Sequence, residues 1–143
     1  MELKTTFHGT REYLEEDVIL FSKGLPGLEY LKKFILFDAE KDSVFSILQS
    51  VEDPGIGLVV MSPFCKIKEY EFNLDDEVSE RLKIQKSEDV LVLNTVTLNS
   101  KVENITINLR APIIINFRTK LGEQIILNDD RYEIKHPLFK EGV

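Results

Sequence analysis

The stretch that decides the fold runs from Asn104 to Leu127 and has the sequence NITINLRAPIIINFRTKLGEQIIL. Apolar and polar residues alternate from Ile105 to Arg110, which is the period of a half-buried β-strand. Ala111-Pro112 interrupts this alternation, and because proline lacks a backbone donor we expect a bend, a bulge or a sheet edge there. Ile113 to Ile115 is apolar on both faces, which predicts a strand buried on two sides.

The rest of the chain predicts short strands separated by turns. Leu121-Gly122-Glu123 predicts a turn and Gln124 to Leu127 a returning strand, while His8 to Glu12 predicts a further turn. Other strands are expected at residues 3–7, 18–21, 34–37, 44–50, 57–61, 64–72 and 90–98. About eight to ten short antiparallel strands favour a mainly β fold, because no helix is long enough for βαβ crossovers. We expect a small β-barrel or β-sandwich in a single domain over residues 1–143.

One segment has helical periodicity. Leu74, Val78 and Leu82 are spaced by four residues, which predicts one short α-helix over about residues 74–84 with these side chains on one stripe. Asn73 or Asp75 is expected to cap the start of this helix, because a short polar side chain there satisfies a free backbone N–H.

Glycine and proline mark a tight turn at residues 24–27. In Gly24-Leu25-Pro26-Gly27, proline followed by glycine predicts a type II turn, since the glycine takes the positive φ that other residues resist. Leu28 to Lys33 is expected to form a turn or two of helix, with Leu28, Leu31 and Tyr30 against the sheet.

Length and composition indicate a self-sufficient core. A chain of 143 residues with 43% hydrophobic residues should fold without metal or disulfide. Cys65 is the single cysteine, so it closes no intramolecular bridge, and we expect it to be a small buried side chain in a reducing compartment. The N-terminus lacks a signal-peptide pattern, and no apolar run is long enough for a membrane span. These features predict a cytoplasmic protein that does not associate with membranes.

The net charge of -7 indicates the kind of partner. Direct nucleic-acid binding draws on clustered Lys and Arg, so an acidic protein is not expected to bind RNA or DNA. A negative surface would instead steer a basic protein partner toward it.

Residues for catalysis or metal binding are sparse. The two histidines, His8 and His136, lie in turn-like sequence, and no Cys pair or His-x-x-x-His spacing is present. The carboxylate pairs Glu52-Asp53, Asp75-Asp76 and Asp129-Asp130 are explained by turns and helix capping, although a small hydrolase using such pairs stays as an alternative. We therefore expect no enzyme activity, no metal and no cofactor.

The segment from Glu69 to Glu80 stands out, because it holds six acidic residues and no Lys or Arg. Tyr70 and Phe72 are interleaved with the first of the acidic residues. This pattern fits a solvated helix face beside an edge strand. It also fits a docking surface for a basic protein, on which the aromatics act as anchors and the carboxylates steer.

Three stretches of the chain combine turn and strand residues in a distinctive order: Phe21-x-x-Gly24-Leu25-Pro26-Gly27-x-Glu29, then Leu48-Gln49-Ser50-x-Glu52-Asp53, and finally Asn108-Leu109-x-Ala111-Pro112-Ile113-x-Ile115-Asn116. Together and in this order they resemble the flagellar assembly factor FliW family, and the resemblance covers nearly the whole chain. Leu28 stands where the family often has phenylalanine, which is an apolar replacement.

The resemblance implies a non-enzymatic regulator with a β-barrel-like fold. Proteins of this family bind flagellin in the cytoplasm, and when free of it they bind CsrA, an RNA-binding repressor of flagellin translation. They act on CsrA without competing for its RNA site, and so relieve the repression. A flagellin-only chaperone without the CsrA arm is the second hypothesis, and its site should be an apolar groove, because flagellin termini are amphipathic helices.

Two sets of residues follow for this chain, which we expect to be monomeric when unbound. The candidate partner contacts are Glu52, Asp53, Glu69, Tyr70, Glu71 and Phe72. The motif residues expected to shape turns and strands are Gly24, Pro26, Gly27, Ala111 and Pro112.

Overall fold

A computed structural model describes residues 1–139 of the chain and shows a mainly β structure. The eleven strands of this part are β1 (Glu2–Lys4), β2 (Thr10–Glu12), β3 (Ile19–Leu20), β4 (Lys33–Asp38), β5 (Phe45–Ser50), β6 (Gly57–Met61), β7 (Val90–Thr97), β8 (Thr106–Ile107), β9 (Ile113–Asn116), β10 (Leu121–Gln124) and β11 (His136–Pro137). One α-helix, α1 (Asp76–Arg81), lies between β6 and β7, and short 3-10 turns span Glu15–Asp17, Pro63–Cys65, Ser87–Asp89 and Val102–Asn104. The predicted fold class is confirmed.

Seven strands close into a barrel in the order β7-β6-β5-β4-β3-β10-β9, and β9 pairs back with β7. Strand β7 closes the ring because different parts of it pair with different neighbours. Its first half, Val90 to Leu93, pairs with β9, whereas Asn94 and Thr95 pair with β6. Its last residues pair with β8, which in turn pairs with β11, so a small extension continues the sheet beyond the barrel. The β1–β2 hairpin forms a separate two-stranded sheet.

One pair of barrel strands is parallel, which corrects the expectation of an all-antiparallel sheet. Leu20 of β3 and Leu121 of β10 are register partners in this pair, and the other six pairs in the ring are antiparallel. The reason is geometric: strand direction cannot alternate all the way round a closed ring with an odd number of strands. A seven-stranded barrel therefore needs at least one parallel pair.

The core is organised by the two faces of the strands. Inside the barrel, Phe21 and Phe34 are fully buried, and their rings meet edge to face at 5.4 Å. Ile113 and Ile115 of β9 join this inner cluster, whereas Ile114 packs outside the barrel against Val78 and Leu82 of the helix region. All three isoleucines are 0–1% exposed, so the predicted burial on two faces is confirmed.

The glycine–proline turn forms as predicted. Gly27 has a φ of +85°, and the Leu28 N–H donates to the Leu25 carbonyl across 2.7 Å, as a type II turn requires. The helix expected from Leu28 to Lys33 is wrong, because the chain makes a single further turn and enters β4 at Lys33. Of the side chains expected against the sheet, Leu31 is buried and Leu28 half-buried, but Tyr30 is 66% exposed.

The expected turn at Leu121-Gly122-Glu123 is also wrong, because these residues begin β10 and the predicted strand from Gln124 is displaced. The turn lies at residues 117–120 and is closed by the Asn116 carboxamide oxygen, which accepts the N–H groups of Arg118 and Thr119. Glycine is required at position 122 for packing, not for a turn. A Cβ there would lie 2.7 Å from the ring of Phe21.

Several boundaries differ from the sequence expectations. Helix α1 is shorter than expected; Asp75 occupies its N-cap position without a side-chain hydrogen bond, and Lys83 takes a φ of +56° just beyond its end. Residues 8–12 include β2 rather than only a turn, and residues 64–72 form a 3-10 turn and irregular chain instead of a strand. Cys65 is exposed, not buried. Within residues 1–139, no helix combines the length and apolar character needed to cross a membrane.

Candidate functional site

The acidic segment Glu69–Glu80 runs over the surface and ends in α1. Its six carboxylate residues are all exposed: Glu69, Glu71, Asp75, Asp76, Glu77 and Glu80. Two arginines approach them, since Arg131 lies 4.0 Å from Glu71 and Arg81 lies 3.9 Å from Glu77. Ion pairs between such exposed groups contribute little, and the segment keeps a strong excess of negative charge.

A partly buried ion pair fixes α1 to the barrel. The Arg81 guanidinium donates two hydrogen bonds, of 2.9 Å and 2.8 Å, to the carboxylate of Glu123 on β10. Glu123 is only 8% exposed, and these hydrogen bonds from Arg81 hold its pKa below the ordinary value. Because Arg81 is committed to Glu123, it neutralises little of the acidic charge on the same helix.

The end of α1 is held by β9. The Asn116 Nδ2 donates to the carbonyl oxygens of Leu82 at 2.9 Å and Lys83 at 3.2 Å, which would otherwise be free at the helix C-terminus. Thr119 donates to the same Leu82 carbonyl. The acidic helix is therefore presented by a fixed support rather than by a loose loop.

Tyr70 is not a surface anchor, which corrects its place among the candidate contacts. Its side chain is 3% exposed, its ring lies 4.7 Å from that of Tyr132, and its hydroxyl donates to the Leu109 carbonyl. Burial raises the pKa of Tyr70 to about 12. Tyr70 therefore belongs to the core and supports the exposed residues on either side of it.

We expect Tyr70→Phe to lower the free energy of unfolding by about 1 kcal/mol, because the Leu109 carbonyl loses a hydrogen bond inside the protein. Affinity for a protein partner should stay unchanged. Urea denaturation and a binding titration on the same variant check both parts. The matched control is Tyr30→Phe, since Tyr30 is 66% exposed. A partner affinity that falls while stability holds would return Tyr70 to the contact surface.

Tyr132 is a supporting residue that sequence reasoning missed. Its hydroxyl accepts the backbone N–H of Glu71 and donates to the Glu71 carbonyl, each at 3.0 Å. The backbone of the acidic segment is thus fixed while the Glu71 carboxylate stays exposed. The two residues are 61 positions apart in sequence, and no local pattern relates them.

Glu52 and Asp53 lie in the loop between β5 and β6, and their carboxylates are used within the chain. Glu52 accepts the backbone N–H groups of Lys32 and Lys33 at 2.6 Å and 2.9 Å, and these hydrogen bonds lower its pKa. Asp53 accepts the N–H of Gly55 at 2.9 Å. Both side chains therefore have a structural role, whether or not a partner also touches them.

The motif residues shape the backbone around the barrel. Gly24 has a φ of +68°, and Pro26 and Gly27 form the turn that follows it. The Ala111 N–H donates to the Asn108 carboxamide oxygen at 3.1 Å, and the Pro112 carbonyl accepts the Ile125 N–H at 3.0 Å. The chain bends at this point between β8 and β9, as the proline predicted.

An apolar groove lies beside the acidic segment, and no local sequence pattern predicts it. The groove encloses about 450 Å³. Polar residues 85–87 also border it. Its apolar lining consists of Phe64, Phe72, Leu74, Ile84, Val90, Val92 and Ile114.

The groups considered for catalysis are engaged elsewhere. Asp129 binds Arg131 at 2.8 Å, and Asp130 lies 3.6 Å from Arg110. His136 lies 3.8 Å from Glu133, whereas His8 stacks edge to face near Phe37. In the described part of the chain, no three His, Cys, Asp or Glu side chains form a group that could hold a metal ion.

The closed seven-stranded ring and the anchored acidic helix define the class: a small β-barrel protein with an acidic helix packed on the outside of the barrel. The family model described as "FliW protein" matches residues 2–138. The chain belongs to the FliW family, whose relatives are named flagellar assembly factors.

Individual relatives cover the whole chain. The flagellar assembly factor FliW of Clostridium novyi (strain NT) is 64% identical over 143 residues, with 100% of each chain covered. Its counterpart in Clostridium botulinum (strain Okra / Type B1) is 56% identical over 141 residues, or 99% of each chain. A solved crystal structure of the flagellar assembly factor FliW superimposes with a TM-score of 0.90 at 40% identity and full coverage of both chains.

Proposed function

We propose that this protein is a non-enzymatic regulator of flagellin synthesis that exchanges two protein partners in the cytoplasm. It binds flagellin while flagellin is present. When secretion removes flagellin, the free protein, a monomer, binds the repressor CsrA away from the RNA site, and flagellin translation resumes. Membership of the FliW family supports this proposal, and the exposed acidic segment Glu69–Glu80 is the observation that carries it.

The acidic segment supports binding to a basic partner. CsrA binds RNA and must carry positive charge for the phosphates, so a field of exposed carboxylates would steer the two proteins together. Once bound, the same carboxylates would lie beside the RNA site and repel RNA phosphates without occupying the site itself. The support of α1 by Arg81 and Asn116 keeps these charges in a fixed arrangement, which favours a specific contact.

Charge reversal at Glu69 and Glu71 tests the assignment. We expect the double variant Glu69→Lys, Glu71→Lys to weaken CsrA binding about tenfold at low salt, because two attractive charges become repulsive. The thermal transition should hardly move, since both side chains are exposed and the bonds from Tyr132 reach only the backbone of Glu71. Calorimetric titration against purified CsrA measures the affinity.

The matched control is Glu15→Lys, Glu16→Lys, which makes the same change of net charge at two exposed residues of the 3-10 turn Glu15–Asp17, outside the acidic segment. The affinity of this control for CsrA should fall only slightly, through the general effect of net charge. An undiminished CsrA affinity in the Glu69, Glu71 variant at low salt would remove the acidic segment from the interface.

Competition between purified partners tests the function itself. The protein is immobilised, saturated with CsrA and then challenged with flagellin, and the released CsrA is quantified. Release in proportion to bound flagellin is expected. Stable capture of both partners together would contradict the exchange.

The second candidate is a flagellin-only chaperone, and the apolar groove favours a flagellin arm. Salt separates the two kinds of contact, because screening weakens an electrostatic interface and leaves apolar burial intact. Binding of flagellin without any binding of CsrA would establish this candidate over the exchange.

A further inference from the structure

We propose that the apolar groove beside α1 is the docking site for one amphipathic helix of a protein partner, with basic residues flanking its apolar face. This inference rests on the proposed function, in which flagellin is one of the two partners, and on the amphipathic helices of flagellin termini. It adds the place of binding, and it explains why two partners would exclude each other.

The groove has the composition that a helix-binding site requires. Phe64 is 45% exposed at its edge, while Phe72, Leu74 and Ile84 are half-buried beside it. Amphipathic helices bind such grooves by inserting side chains spaced three and four residues apart, and burial of these anchors supplies most of the free energy.

The walls come from elements that are fixed to the barrel. Ile114 of β9 is fully buried, and Val90 and Val92 belong to β7, which closes the barrel. On the other side, Phe72 packs on Tyr70 with ring centroids 5.6 Å apart. A groove between such supports exists before the partner arrives, which reduces the ordering cost of binding.

The charge around the groove identifies the chemistry of the occupant. Exposed carboxylates adjoin its lining residues in sequence, since Glu71 and Asp75 flank Phe72 and Leu74, and Glu88 follows residue 87. One exposed cation, Lys83, likewise precedes the lining residue Ile84, so the carboxylates remain in excess. Lys86 is the one cation among the lining residues. The apolar face of the partner helix should therefore be bordered by Lys or Arg, which would face these carboxylates.

The groove and the acidic segment overlap. Phe72 and Leu74 line the groove and lie within Glu69–Glu80, between the carboxylates proposed to attract CsrA. A helix in the groove would cover these residues and neutralise their acidic neighbours. The exchange of partners then needs no conformational change, because one surface serves both.

The test uses the full chain and a synthetic amphipathic helix of about 18 residues, or five turns, with leucines on one face and lysines beside them. Fluorescence anisotropy measures its affinity, and a scrambled peptide of the same composition is the control. We expect Phe64→Ala to weaken binding about tenfold, since an exposed aromatic anchor is lost. Phe117→Ala is the matched control, because Phe117 is 47% exposed and lines a different cavity.

A second variant, which is expected to bind more tightly, distinguishes the loss of a contact from a defect in folding. Lys86 is exposed and lines the groove, so Lys86→Glu should tighten the binding of the lysine-flanked helix about threefold. A partly unfolded variant would not bind more tightly. Equal affinities of wild-type, Phe64→Ala and Phe117→Ala proteins for the helix would overturn the inference, and so would equal binding of the scrambled peptide.

The result is separable from the proposed function. If Phe64→Ala still exchanges flagellin for CsrA with wild-type affinities, the groove is not the site and the partner exchange stands. If the wild-type protein binds the helix through Phe64 but neither flagellin nor CsrA, the groove stands and the proposed function fails. A dimer of the wild-type protein that Phe64→Ala dissociates would overturn the inference, because the groove would then hold a second copy of this chain.

Discussion

Replacing Gly24 by alanine should lower the free energy of unfolding by about 3 kcal/mol or more. The backbone at Gly24 has a φ of +68°, which costs a residue with a Cβ about 1–2 kcal/mol. In addition, the new Cβ would lie 2.6 Å from the Cα and 2.7 Å from the carbonyl oxygen of Glu29. Since these are backbone atoms, the turn must move to relieve the overlap, and a strained turn of this kind costs a further 1–3 kcal/mol or so.

Substitutions at two other glycines separate the cost of the positive φ from the cost of the steric overlap. Gly27 has a φ of +85° but no atom within 4 Å of a built Cβ, so Gly27→Ala should cost only the conformational part, about 1 kcal/mol. At Gly55 φ is not positive and the nearest atom lies at 3.4 Å, so Gly55→Ala should change stability by less than about 0.5 kcal/mol. Urea denaturation of the three variants measures these losses of stability and their order. Equal losses at Gly24 and Gly27 would show that the close approach to Glu29 contributes nothing.

The second large effect is expected at the partly buried ion pair of Arg81 and Glu123. Glu123→Gln should destabilise the protein by about 2 kcal/mol at neutral pH, because the charged acceptor of both Arg81 bonds is lost. The estimate stays below that of a fully buried pair, since the Arg81 side chain is 36% exposed. Amides of α1 should also exchange faster in hydrogen-exchange measurements, because the helix loses its attachment to β10.

The destabilisation caused by Glu123→Gln should depend on pH. The hydrogen bonds from Arg81 lower the pKa of Glu123 from its ordinary value of 4.5, so the folded state favours the charged carboxylate. Its stabilising contribution is complete above pH 4.5 and is lost as the pH falls through the lowered pKa of the folded state. The stability difference between wild type and Glu123→Gln should therefore shrink in acid. Glu40→Gln, at an exposed site, is the control; a difference that stays constant down to pH 3 or so would contradict this role of the pair.

The sequence predicted those parts of the fold that local patterns determine. The run Ile113–Ile115 is β-branched on both faces, and the structure buries it on both. Residues 57–61 form β6 with the predicted bounds, and the Pro26-Gly27 turn follows from the fixed φ of proline and the freedom of glycine. In each case, one residue or one period admits a single backbone conformation.

Some expectations differ from the structure because a local sequence signal has more than one physical cause, or because the structure depends on distant residues. Gly122 predicted a turn, but glycine is needed there because the Phe21 ring occupies the space of a side chain. Strand β2 was missed because Thr10–Glu12 is polar and gains its structure from pairing with β1. The parallel β3–β10 pair follows only from closure of the whole ring, which no local segment encodes.

The sequence predicts the negative charge of the candidate site, but it does not predict which of its side chains are buried. The carboxylates of residues 69–80 are exposed as charged side chains usually are. Tyr70, between two exposed glutamates, looked like a surface residue, yet contacts with Leu109 and Tyr132 bury it. The groove also escaped detection, because its walls come from separate parts of the chain, around residues 64–74, 84–92 and 114.

The parallel pair also sets an order of events during synthesis. Leu20 is made about a hundred residues before its barrel partner, Leu121. Until β10 and β9 leave the ribosome, β3 keeps an unpaired edge and the barrel stays an open sheet. Contacts between such distant residues form slowly, and open edges are prone to pair with other chains. We therefore expect the barrel to close only after β9 and β10 have been made, and the nascent chain to be most prone to aggregation just before that.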